Sequence, residues 1–173
     1  MKKNLILLGG NSYDNFSWLK EIGTNLSNKY CVYVHKYTHW KNGGNIDFNI
    51  ELNILKKYVT NLKDYAIVAK SAGGLLALMG YKQGVFKDAV KIIVIGTPIE
   101  WAKERNIDYE SLVMDDDKIR YIQATDDPKG KYSELVKIVG NNIQIKEYPS
   151  DNHHYGEIGI ICQDIKSFLA TIQ

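Results

Sequence analysis

Cysteine is scarce in this chain of 173 residues. The two present, Cys31 and Cys162, lie far apart and form no C-x-x-C pattern, which argues against a disulfide scaffold and against a zinc site. Proline is also scarce, at three residues, beside plentiful Lys, Asn, Ile and Tyr; an AT-rich genome produces that bias, and it says nothing of function. Neither sign of charge is in excess: Lys and Arg number 22 against 20 Asp and Glu, a net charge of +2. That balance excludes a protein built mainly to grip nucleic acid by its phosphates and gives no reason to expect a membrane surface or a polyanionic partner. Long apolar runs are missing too. Met1-Lys2-Lys3-Asn4 followed by Leu5-Ile6-Leu7-Leu8 resembles the start of a signal peptide, but Gly9-Gly10 ends the run short of the roughly 7–15 apolar residues a signal needs. No stretch approaches the ~18 residues of a membrane-spanning helix. The expectation is a soluble, cytoplasmic protein. Hydrophobic residues at 45% and charged residues at 24% are close to the globular average, so disorder, collagen and simple repeats are excluded. The length fits one domain over residues 1–173, since about 100–200 residues per domain is usual.

What is present is an alternation. Short aliphatic or β-branched runs at residues 5–8, 31–35, 66–69, 91–95, 119–123 and 143–147 read as strands, several apolar on both faces as strands buried between helix layers must be. Between them lie helical stripes: Trp18, Leu19, Ile22, Leu26; Leu52, Leu55, Tyr58, Val59, Leu62; an Ala- and Leu-rich helix over 72–83 followed by Gly84; Tyr132, Leu135, Val136, Val139 followed by Gly140; and Ile158, Ile161, Ile165, Phe168, Leu169, Ile172. The pattern predicts an α/β fold, a doubly wound, mostly parallel six-stranded sheet flanked by helices. Residues 99–117, with Trp101 and the run Asp115-Asp116-Asp117, are the least regular and are expected to form a short helix with a loop.

In such a sheet, function sits beyond the carboxyl ends of the strands, so the residues after each strand matter most. After the third comes Ala69-Lys70-Ser71-Ala72-Gly73-Gly74. A serine between small residues, at a strand-to-helix turn, is the context of a nucleophile elbow, G-x-S-x-G. The small residues avoid collision on a strained turn, and the helix N-terminus favours a developing negative charge. A phosphate-binding G-x-x-x-x-G-K-[ST] loop is excluded, because its glycine positions hold Asp64 and Ala69. A plain serine N-cap with packing glycines is the alternative. After the first strand, Gly9-Gly10-Asn11 exposes backbone N–H groups where an oxyanion site needs a donor, the second donor being the N–H of Ala72. An ordinary glycine turn is the alternative, and the spacing is wrong for a G-x-G-x-x-G dinucleotide loop. After the fifth strand stand Asp126-Asp127-Pro128, either an acid that orients a histidine or a simple Asp-Pro turn. After the sixth come two of the four histidines, His153 and His154. One of them is a general-base candidate; adjacent histidines rarely share a metal, and no H-E-x-x-H or cysteine partner is present. His35 and His39 are read as a rim residue and a loop residue.

Taken together, Ser, then Asp, then His each follow a predicted parallel strand, which is the α/β-hydrolase order. Over residues 4–169 the chain resembles the α/β-hydrolase superfamily, in particular small lid-less serine hydrolases of the dienelactone hydrolase and carboxylesterase kind. The resemblance implies a strand order of 2-1-3-4-5-6, with the first strand here matching that family's third. It implies Asp127 rather than Asp126 as the acid, because the acid precedes a proline, and His153 as the base. It implies Asn11 and Ala72 as oxyanion donors. Ala69 and Gly9 depart from the pattern, which commonly has glycine and histidine there. The implied activity is cleavage of a small carboxylic ester or thioester through an acyl-enzyme, with no cofactor or metal and no nucleic-acid or membrane partner; the oligomeric state is not readable. Gly10, Tyr13 and Lys70 are candidate substrate contacts. Lys70 reads either as a group favouring an anionic substrate or as a solvated lysine, and Tyr13, Trp40 and Trp101 either as pocket walls or as packing. Residues 99–117 are the one segment able to cover the site, so an open, shallow pocket is expected. A non-catalytic binding protein of the same fold, a nucleotide-binding domain using residues 9–12, and an acyltransferase are the rival classes.

Overall fold

Strands β1 (Lys3–Leu8), β2 (Tyr30–Val34), β3 (Tyr65–Lys70), β4 (Ala89–Ile95), β5 (Ile119–Ala124) and β6 (Gln144–Tyr148) alternate with helices α1 (Asn15–Leu26), α2 (Phe48–Val59), α3 (Ala72–Lys82), α4 (Ile99–Glu104), α5 (Tyr109–Leu112), α6 (Tyr132–Val139) and α7 (Ile158–Ala170). The structure is a computed structural model that describes residues 2–113, 116–140 and 144–170. The six strands form one sheet in the order β2-β1-β3-β4-β5-β6, and every pairing is parallel. This is the expected architecture and order. The expected positions Ile143, Asp115 and Ile172 lie outside the described residues. Leu62 lies beyond the end of α2, and residues 99–112 form two short helices rather than one.

The sequence explains the layering. All six residues of β3 are buried, because the strand is covered on both faces. Leu5 and Leu7 of β1, with Ala66 and Val68 of β3, face a core completed by Trp18, Leu19, Ile22 and Leu26 of α1 and by the apolar side of α7. Ile6, Leu8, Ile67 and Ala69 face the opposite core, built from α2, α3, α5 and α6. Helix α3 is apolar all round, AGGLLALMGYK, and eight of its residues are buried; its small residues let it lie tight on the sheet. Helix α2 starts where Asp47 Oδ1 accepts the Ile50 N–H at 3.0 Å. The edge strand β6 reads QIKEY and is largely exposed, and its charges discourage further strand pairing.

Strand order reverses between β1 and β3, which pair directly with Leu8 opposite Ala69. Their carboxyl ends therefore deliver residues 9–11 and Ser71 side by side.

Candidate active site

Ser71 sits between β3 and α3 with φ +54° and ψ −124°, a conformation rare for a residue with a Cβ. Its own N–H donates to the Ile95 carbonyl at 2.9 Å, which extends the sheet pairing by one residue. The turn is tight because α3 presses on β1. A Cβ at Gly73 would run into the Gly9 carbonyl oxygen and stand 2.8 Å from that of Leu8. Only glycine fits there.

The Ser71 hydroxyl reaches His153 Nε2 at 2.9 Å. His153 Nδ1 lies 2.9 and 2.8 Å from the two oxygens of Asp127. The carboxylate accepts the hydrogen bond from Nδ1–H, which leaves Nε2 as the acceptor for the serine. Asp127 is almost wholly buried, so it must be satisfied by donors. Lys129 N–H donates to it at 2.8 Å, the Tyr155 hydroxyl at 2.7 Å and Gln123 Nε2 at 3.4 Å. Gln123 is itself held: its Nε2 also donates to the Gly130 carbonyl, and its Oε1 accepts the Thr97 N–H at 2.7 Å. The Tyr155 hydroxyl accepts from the Ala124 N–H at 3.0 Å; burial first, then the neighbouring Asp127 charge, pushes its pKa far up and keeps it a donor. The His153 imidazole remains about one-fifth exposed, so water can reach it.

Of the paired candidates, Asp126 points outward to Lys131 at 3.1 Å and His154 is exposed; the geometry joins Asp127 and His153 to Ser71 instead. A cavity of about 230 Å³ opens beside them, lined by Asn11, Ser12, Asn15, Ser71, Ala72, Pro98, Trp101, Lys129 and His153. Asn11 and Ala72, the two residues whose N–H groups are the donor candidates, therefore border the same space as Ser71. Ala72 is the first residue of α3, where helical N–H groups lack an intrahelical acceptor. Gly10 stands between the loop and Asn15, and a Cβ there would lie 2.8 Å from the Asn15 amide nitrogen.

Several expectations need correction. Lys70 is not solvated, and it does not line the cavity beside Ser71. It continues the Ala66–Val68 face of β3, is 6% exposed, and lays its ammonium 5.1 Å from the centre of the Trp18 ring. Burial pulls its pKa down to about 8, against the opposing pull of Asp127. Tyr13 does not line the cavity beside Ser71; it is 59% exposed and packs with Phe16 and Trp40. Trp40 donates its Nε1–H to the Asn11 carbonyl at 3.0 Å, and Trp101 alone of the three aromatics walls the cavity. His35 is not a rim residue: it is buried and donates from Nε2 to the buried Glu51 at 2.7 Å. His39 does lie in a turn, but its Nε2 donates to the Asn11 carbonyl at 2.8 Å. Burial would raise the Glu51 pKa, yet hydrogen bonds from His35 and Thr38 outweigh it and hold the carboxyl below its usual range. Among the described residues, no three His, Cys, Asp or Glu side chains gather as a metal-binding group, and no helix is long and apolar enough to cross a membrane.

Tyr155, Gln123 and Lys129 escaped the sequence reading. Gln123 left a signal: it lies near the end of β5 on the parity of the buried Ile119 and Tyr121, where a polar side chain must find partners inside.

No protein-family model and no curated protein sequence matches the chain. Solved structures do match it. Est1E from Butyrivibrio proteoclasticus, with ferulic acid bound, is similar over 98% of this chain and 89% of its own at a TM-score of 0.73 and 15% identity. The ydeN gene product from B. subtilis is similar over 98% and 100% at 0.68 and 14%. An esterase from Pyrococcus furiosus is similar over 98% and 81% at 0.65 and 16%. The fold of the chain is that of the α/β hydrolases.

Proposed function

We propose that the protein is a serine hydrolase that cleaves a small carboxylic ester or thioester through an acyl-enzyme. The observation that carries this reading is the unbroken hydrogen-bond chain from Ser71 Oγ through His153 to the buried Asp127, with the serine on a strained turn. In this reading Ser71 Oγ attacks the carbonyl carbon while His153 Nε2 takes its proton. Asp127 holds the imidazole in the required tautomer and stabilises the imidazolium, and its own donors keep it from rotating away. The N–H groups of Asn11 and Ala72 receive the oxyanion; one such donor typically lowers the barrier by about 2.7–4 kcal/mol. The imidazolium then protonates the departing alcohol or thiol, and water, activated by the same histidine, releases the acid. The cavity of about 230 Å³ is below the ~300–1,000 Å³ usual for ligand pockets, which favours a small acyl group. Est1E carries ferulic acid, so an alkyl ester of that acid belongs beside acetyl and butyryl esters and thioesters in any panel.

The test is labelling with a fluorophosphonate, read by intact mass, on the wild type and on Ser71→Ala. The expected result is one phosphonyl adduct on the wild type and none on the variant. A folded wild type that stays unlabelled, with no turnover of the panel, refutes the reading.

A further inference from the structure

The segment after β2 takes no part in the chemistry proposed above, yet it supplies the hydrogen bonds that hold Gly9 and Asn11 of the first loop. The N–H of Asn11 belongs to the peptide that joins Gly10 to Asn11. A glycine on one side gives that peptide unusual freedom, and a wandering donor would have to be reoriented in each transition state. The structure brackets it instead. On the preceding peptide, the Gly9 carbonyl accepts from the Tyr37 hydroxyl at 2.9 Å. On the following peptide, the Asn11 carbonyl accepts from both His39 Nε2 at 2.8 Å and Trp40 Nε1 at 3.0 Å, which occupies both of its lone pairs. The Asn11 side chain is tied as well, its Oδ1 accepting the Ile46 N–H at 2.8 Å and its Nδ2 donating to Asn45 at 3.0 Å.

His39 and Trp40 sit on a short 3-10 turn, Thr38–Trp40, with Tyr37 at its N-cap, and the turn is fastened from beneath. Glu51 of α2 accepts from the Thr38 N–H at 2.8 Å, from the Thr38 hydroxyl at 2.7 Å and from His35 Nε2 at 2.7 Å, and both Glu51 and His35 are essentially without solvent exposure. A buried carboxylate with three donors allows little movement. The bonds thus run from the interior of α2, through the turn, to the two peptides on either side of the Asn11 N–H.

We propose that Tyr37, His39 and Trp40, anchored by the buried His35–Glu51 pair, are positioning residues that aim the Asn11 N–H at the reacting oxygen. The proposal rests on the reading of Ser71 as the nucleophile. It predicts a loss expressed in the transition state, not in ground-state binding.

The experiment measures p-nitrophenyl acetate turnover and the Asn11 amide resonance for the wild type, His39→Ala, His39→Gln, Trp40→Phe and Glu51→Gln. His39→Ala and Trp40→Phe should lower kcat roughly tenfold to a hundredfold, less than the 10²–10³ lost with an oxyanion donor itself, at unchanged KM. The Asn11 amide should move in both. His39→Gln, whose terminal amide can reach the same carbonyl, should recover most of the rate. If Glu51→Gln does not fold, the two variants in the turn carry the test. Full kcat in His39→Ala and Trp40→Phe, from a wild type that labels and turns over, overturns the proposal while leaving the nucleophile reading intact. A lowered kcat with an unmoved Asn11 amide overturns it also, by showing a merely structural role. An inert, unlabelled wild type removes the nucleophile reading and this proposal together.

Discussion

Replacing Lys70 with methionine should make the protein more stable at neutral pH, although the residue adjoins the proposed nucleophile. The reason lies in where β3 sends it. Lys70 points into the α1 side of the core, 6% exposed, with Trp18 as its nearest aromatic face. Burial draws its pKa from 10.5 to about 8, Asp127 opposing the change. Between those two values the unfolded chain holds a proton that the folded protein has released, so stability rises with pH across that interval. Below pH 8 both states are charged and the folded protein bears the full burden. At pH 7 that burden is about 3 kcal/mol, at 1.36 kcal/mol for each tenfold step; by pH 9.5 about 1.5 kcal/mol remains. Methionine keeps the stem over Trp18 and removes the charge. Urea unfolding of wild type and Lys70→Met at pH 7.0, 8.5 and 9.5 reads this directly. The variant should be more stable by about 3 kcal/mol at pH 7, and its advantage should shrink by about half at pH 9.5. Buried tyrosines such as Tyr65 and Tyr121, whose pKa values burial raises, weaken both proteins alike at high pH and cancel in the difference. A variant less stable at pH 7, or a gap that stays constant with pH, refutes the reasoning.

Three further outcomes follow from the site. Asp127→Asn and His153→Ala should each lower ester turnover by roughly 10³–10⁴-fold, whereas Asp126→Asn and His154→Ala, whose side chains point to solvent, should leave it unchanged; parallel rate assays decide. Tyr155→Phe strips Asp127 of one donor and the Ala124 N–H of its acceptor, so urea unfolding should show a loss of about 1–3 kcal/mol. Gly73→Ala drives a Cβ into the carbonyls of Gly9 and Leu8, and thermal unfolding should show at least the ~1–3 kcal/mol usual for overpacking, because backbone cannot step aside as a side chain can.

The fold was largely legible because burial leaves a plain mark on the strands: β3 and β4 are apolar along most of their length, and no alternation competes with that reading. The elbow was legible for a steric reason, since the small residues around Ser71 are demanded by the approach of α3 to β1. Lys70 was misread because a lysine next to a loop suggests solvent; its parity with Ala66 and Val68, under a helix bearing Trp18, was the missed signal. The His35–Glu51 pair was opaque. Its partners come from different elements separated by a turn, and nothing local to either residue announces the other. Tyr155 is similar: its ring fills the space left by Gly96, which sits at φ +63° with no room for a Cβ against that ring, a fit that exists only once β4 and the last loop meet.

The proposed machinery is drawn from residues 9–11, 71–72, 127 and 153, each hung on the end of a different parallel strand. Apart from Ser71 and the adjoining Ala72 N–H, no contiguous piece of the chain holds two of its chemical groups. Parallel neighbours meet only after a long crossover has closed, which makes such sheets slow to assemble. Recovery of the proposed turnover after dilution from denaturant would therefore be a stringent clock for folding: helical signal can return segment by segment, but the proposed site is complete only when β1, β3, β5 and the loop beyond β6 have all found their places.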